Sequence, residues 1–152
     1  MLAWQAEGMA SLDDQELNTA IQNADSPAWS VRGTAGRQLA GSDKIEELAD
    51  IIHRLLLDAQ DTWVIQETAE ALLERKDTTG LRCVLLAYSQ AGNYDAMDHL
   101  GAALDCNPEW MTTQGADRLI KQYQELATDL DAGIRNEAQQ ILAKLRPREE
   151  WA

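Results

Sequence analysis

The feature that most limits what this chain can fold into is an internal repeat. Set Trp29-Ser30-Val31-Arg32-Gly33-Thr34-Ala35 above Trp63-Val64-Ile65-Gln66-Glu67-Thr68-Ala69. Trp, a β-branched apolar residue, Thr and Ala coincide at an offset of 34. Leu39 and Leu73 extend the match, and an Asp precedes each Trp, at Asp25 and at Asp61. The same offset puts Thr78-Thr79 on Thr112-Thr113, and Leu85-Leu86 on Leu119-Ile120. A later copy runs through Asp131, Ile134, Arg135, Ala138 and Leu142, about three periods after the first. A period of this length holds a helix, a turn, a second helix and a turn. One such hairpin cannot bury both of its apolar faces, so neighbours must stack.

The rest of the chain fits helices. Asp25-Ser26-Pro27, Gly41-Ser42-Asp43, Asp77-Thr78-Thr79-Gly80, Gly92-Asn93, Asn107-Pro108 and Asp131-Ala132-Gly133 are turn signals, and helix-length segments lie between them. Between Lys44 and Asp58, Ile45, Leu48, Ile52, Leu55 and Leu56 share one helical face. Glu46, Glu47, Asp50 and Arg54 fall mainly on the other, with Ser42 or Asp43 placed to cap the first turn. Phe is absent and aromatic residues make up 5% of the chain, so Leu, Ala and Ile carry the burial; this favours close helix packing over sheet. The length suits a single domain spanning residues 1–152.

Asp-x-x-x-Val-Arg-x-x-Ala-x-x-x-Leu resembles the first helix of a HEAT repeat. It reads here as Val31, Arg32, Ala35 and Leu39 with Asp25 slightly early, again with Gln66 in place of the Arg between Asp61 and Leu73, and again from Asp131 to Leu142. The stretch near Tyr94 to Leu104 departs most from the pattern. The resemblance implies an all-α fold: a short right-handed, armadillo-like α-solenoid of about four stacked helical hairpins. A tetratricopeptide array shares the period, but its Trp, Gly and Tyr spacing is not seen. In HEAT arrays the second helices line the concave face. By resemblance that face belongs to residues 44–58, 79–90 and 113–127, and its acidic members are Asp43, Glu46, Glu47, Asp50, Asp58, Asp117 and Glu125.

Charge adds a partner class. Thirteen Lys and Arg face 26 Asp and Glu, for a formal net charge of −13. Such a field repels nucleic acid and anionic lipid and steers basic partners inward. Small acidic cytoplasmic proteins with HEAT-like folds include bacterial immunity proteins, so the resemblance implies a non-catalytic inhibitor of a basic toxin, for example a nuclease. A general adaptor is the alternative. DNA glycosylases on HEAT-like frames need a basic groove, which this charge opposes.

Catalytic signatures are missing: no phosphate-binding Gly-rich loop, nucleophile elbow or dinucleotide fingerprint appears. His53 and His99 lack the companion ligands of a metal site, so no metal, cofactor or enzymatic activity is expected. Cys83 and Cys106 lie among apolar residues and read as buried structural thiols. Trp29 and Trp63 should pack between hairpins, Trp110 should do the same, and Trp4 and Trp151 should cover the ends of the stack. The first residues lack a signal peptide's pattern and no run is long enough for a membrane span, so a cytoplasmic location is the expectation.

Overall fold

The computed structural model describes residues 13–145. These residues form eight α-helices and no strand: α1 (Asp14–Asn23), α2 (Trp29–Ala40), α3 (Ala49–Leu56), α4 (Thr62–Glu74), α5 (Thr78–Gln90), α6 (Tyr94–Asp105), α7 (Thr113–Leu126) and α8 (Ala132–Lys144). A 3-10 turn, Pro108–Met111, leads into α7. Trp4 and Trp151 lie outside the described residues.

Most helix starts are set by one short polar side chain. Asp61, Asp77, Asn93, Thr112 and Asp131 each accept a hydrogen bond from a first-turn amide, satisfying a donor the helix leaves open. Asp13 and Glu16 form a reciprocal capping box on α1. Two helix starts differ from this pattern. Helix α2 begins at Ala28 without a side-chain cap, and Asp25 instead pairs with Arg54 at 3.0 Å. The helix expected from Lys44 begins only at Ala49. Residues 43–48 are turns, and Ser42 Oγ accepts the Lys44 amide there.

Helices α2, α4 and α6 lie side by side in one row, α4 packing on both of its neighbours. Helices α3, α5 and α7 succeed one another behind them, with α3 on α5 and α5 on α7. Helix α8 does not extend the first row as its main contact; it packs on α5 and α7. Gly133 makes that approach possible, because a Cβ there would lie 2.6 Å from Ser89 Oγ. The core between the rows is aliphatic, with Leu39, Ile52, Ile65, Leu85 and Ile134 all fully buried.

The repeated alanines Ala35, Ala69 and Ala138 are buried, as their spacing requires. Trp29 and Trp63 meet edge to face with ring centroids 5.1 Å apart, but Trp29, the first residue of α2, stays 51% exposed instead of packing fully between hairpins. Trp110 stacks on buried Tyr123 and donates its indole N–H to the Leu104 carbonyl. The repeated Arg holds the turn before its own helix. Arg32 donates to the carbonyls of Ser26 and Pro27, and Arg135 to that of Asp129.

Candidate functional site

Six of the seven carboxylates expected on the concave face are exposed: Asp43, Glu46, Glu47, Asp50, Asp117 and Glu125. The seventh, Asp58, is not available to a partner. It takes Arg32 in a two-bonded ion pair at 2.9 and 3.1 Å, both side chains nearly buried, and also accepts the amides of Gln60 and Asp61. The exposed six do not form one patch. Asp43, Glu46, Glu47 and Asp50 gather at the start of α3, whereas Asp117 and Glu125 lie on α7, with α5 between. Helix α5 contributes Arg82, which lines a recess of about 420 Å³ together with Ile45 and Glu46. The acidic surface is therefore interrupted by a cation, itself bound to Asp129 at 2.9 Å.

Ion pairing explains where the surplus charge resides. Among the described Lys and Arg residues, all but Lys121, Arg135 and Lys144 pair with a carboxylate. Most of the carboxylates left over face solvent, including the six above and also Asp95, Asp98 and Asp105 on α6, while Asp61, Glu70, Asp131 and Glu137 are half-buried.

A larger feature was not foreseen from sequence: a cleft of about 640 Å³ between α4 and α6. Helix α4 presents Gln66, Glu70, Leu73 and Glu74, a spacing that keeps all four on one face. Helix α6 answers with His99, Ala102, Ala103 and Cys106 at the same kind of spacing. Lys76 and the segment Asn107–Glu109 close one end. The floor is largely apolar and the small side chains of Ala102 and Ala103 leave it deep. Carboxylates stand on its walls. Arg37 reaches Glu74 at 2.7 Å and Glu67 at 3.5 Å, while Glu70 accepts only the Gln66 amide among side chains, at 3.1 Å. At the closed end Glu109 takes both Arg118 and Lys76, the latter at 3.6 Å. The stripe from His99 to Cys106 was present in the sequence, but an Ala-rich stripe also describes a tightly packed helix.

Lys76 is unusual in a second respect. At φ +63° it is the described non-glycine residue in the left-handed region, just past the end of α4, where glycine is commonest. Its carbonyl accepts the side-chain amide of buried Gln122, which fixes the turn against α7.

The thiols differ from expectation in part. Cys83 is half-buried, and desolvation raises its pKa and keeps it protonated. Cys106 is exposed in the cleft, because it ends α6 rather than pointing into the core. Among the described residues no three His, Cys, Asp or Glu side chains converge as metal ligands. No described helix is long and apolar enough to cross a membrane. Compared with family models, curated proteins and solved structures, the chain finds no match.

Proposed function

We propose that this chain is a non-catalytic protein-binding module of the HEAT-like α-solenoid kind whose partner is a basic protein. In its most specific form it neutralises a cationic toxin, such as a nuclease, by covering the surface that the toxin uses on its own anionic substrate. The observation that carries the reading is the distribution of charge. Eight of the eleven described Lys and Arg residues are held by carboxylates of the chain itself, so the residual field is negative and borne largely by exposed side chains. A field of that sign accelerates encounter with a basic partner and discourages nucleic acid. The row α2–α4–α6 and the repeated Trp, Ala and Arg positions support the solenoid part.

The test begins with the tagged protein purified from its own cell and identification of what accompanies it. Association with that partner is then followed as salt rises. A steep loss of association rate is expected, together with slower association when Glu46, Glu47 and Asp50 are all changed to Lys. A rate indifferent to salt would defeat the basic-partner reading. That result would favour a general adaptor, the second reading, which the apolar floor of the α4–α6 cleft supports.

A further inference from the structure

The two seams in the row α2–α4–α6 are closed to very different degrees. Between α2 and α4 the chain fills its own space. A Cβ on Gly33 would lie 2.1 Å from the Trp63 ring, and one on Gly36 would lie 2.1 Å from Thr68 Oγ1. Between α4 and α6 the facing residues are long and polar on one side and small on the other, and the cleft remains. Its volume falls within the roughly 300–1,000 Å³ of specific ligand sites.

We propose that this cleft seats a segment of the partner protein that carries an Arg or Lys beside Leu, Met or an aromatic residue. The inference rests on the basic-partner reading above and says where the anchor goes. Leu73, Ala102 and Ala103 take the apolar side chain. The cation lies along the α4 wall, where Glu70 has no ion-pair partner among the described residues and Glu74 shares the single guanidinium of Arg37 with Glu67, which lies outside the cleft lining, so negative charge is left over. At the other end Lys76 and Arg118 face one carboxylate, Glu109, so the local balance is reversed. There the Lys76 ammonium has donors to spare for peptide carbonyls. The two ends thus differ in sign, which orients the segment along the cleft. Lys76 also occupies a backbone conformation that glycine would adopt with less strain. That conformation holds the residue at the closed end of the cleft, where its carbonyl is fixed by Gln122.

A random-peptide phage library panned on the full chain provides the probe. Enrichment of peptides with a cation next to a large apolar residue is expected. Their amide shift perturbations should map to residues 66–76 and 99–109. Glu70→Lys should weaken them about tenfold, as expected when a cation meets a like charge in a partly desolvated site, whereas Glu137→Lys, the same charge reversal on α8 away from the cleft lining, should leave affinity unchanged. Ala102→Trp should block binding by filling the floor, with circular dichroism checking its fold; Glu70→Lys decides the matter if that variant unfolds. Basic peptides mapping instead to residues 43–50 or to α7 would overturn the cleft and leave the basic-partner reading standing. Enrichment of acidic or purely apolar peptides, or none at all, would overturn both.

Discussion

The α2–α4 seam and the α4–α6 seam share a central helix, and the same α4 is sealed on one side and open on the other. Toward α2 it offers Trp63 and Thr68, and α2 meets them with Gly33 and Gly36, so the helices touch without a gap. Thr68 is fully buried and returns its hydroxyl to the Val64 carbonyl, leaving nothing polar unpaired. Toward α6 the same helix offers Glu70 and Glu74, and α6 meets them with Ala102 and Ala103. Small residues close an interface only when the opposing helix supplies bulk to fill the space they leave. Where it supplies carboxylates, which keep to water, small residues open a cleft. One seam therefore holds the molecule together, and the other is free to hold something else.

If the sealed side is structural, damage there should be the most costly. Asp58→Ala strands the buried Arg32 guanidinium behind α2, and loss of one partner of a buried pair costs about 3–5 kcal/mol. Chemical denaturation would register it as a lower midpoint. A surface carboxylate such as Asp117, changed to Ala, should change stability by less than about 0.5 kcal/mol and leave the midpoint nearly where it was.

The last hairpin gives an intermediate case with a pH signature. The hydrogen bond from Arg82, half-exposed on α5, holds the Asp129 carboxyl below the usual Asp range. A depressed folded pKa contributes stability above the unfolded value of about 3.9, and that contribution disappears as pH falls through the folded value. Arg82→Ala should therefore cost no more than about 1 kcal/mol at neutral pH, since Arg82 is well exposed. The difference from the unsubstituted protein should vanish in strong acid. A constant difference across pH would mean that Arg82 acts through packing.

On the open side even a favourable change should be small. Lys76→Gly relieves the left-handed backbone and should raise stability by at most about 1 kcal/mol, part of the gain being offset by the freer unfolded chain. The same substitution should weaken peptides seated in the cleft, and thermal melts with peptide titrations would separate the two effects.

Much of the sealed side was legible in the sequence. Trp29 and Trp63 at a common offset pointed to packing between hairpins, which their edge-to-face contact meets in part, and Ala35, Ala69 and Ala138 announced close contacts. Gly33 and Gly36, one turn apart on α2, carry the same message, since a Cβ at either would collide with α4. The start of α3 misled because Ile45 and Leu48 are buried at helical spacing although their backbone is a series of turns. The open side was not legible, since a cleft consists of space that neighbouring side chains fail to fill. Neither Glu70 nor Ala102 has a local pattern that says what stands opposite. Asp58 illustrates the same limit: its charge reads as one more solvated acid until the fold brings Arg32 beside it.

Adding the same side chain to both seams tests the contrast most directly. Thermal melts of Gly36→Val and Ala102→Val place equal branched bulk on either side of α4. Helix propensity alone favours Val over Gly by a few tenths of a kcal/mol and Ala over Val by a similar amount, so propensity predicts that Ala102→Val is the worse of the two. A sealed α2–α4 seam reverses that order. Gly36→Val should cost about 1–3 kcal/mol through overpacking against Thr68, each kcal/mol lowering Tm by roughly 2–4 °C. Ala102→Val, with its side chain entering the cleft, should stay within about 0.5 kcal/mol of the starting protein. Equal losses in the two variants, or a greater loss from Ala102→Val, would contradict the contrast between a sealed and an open seam.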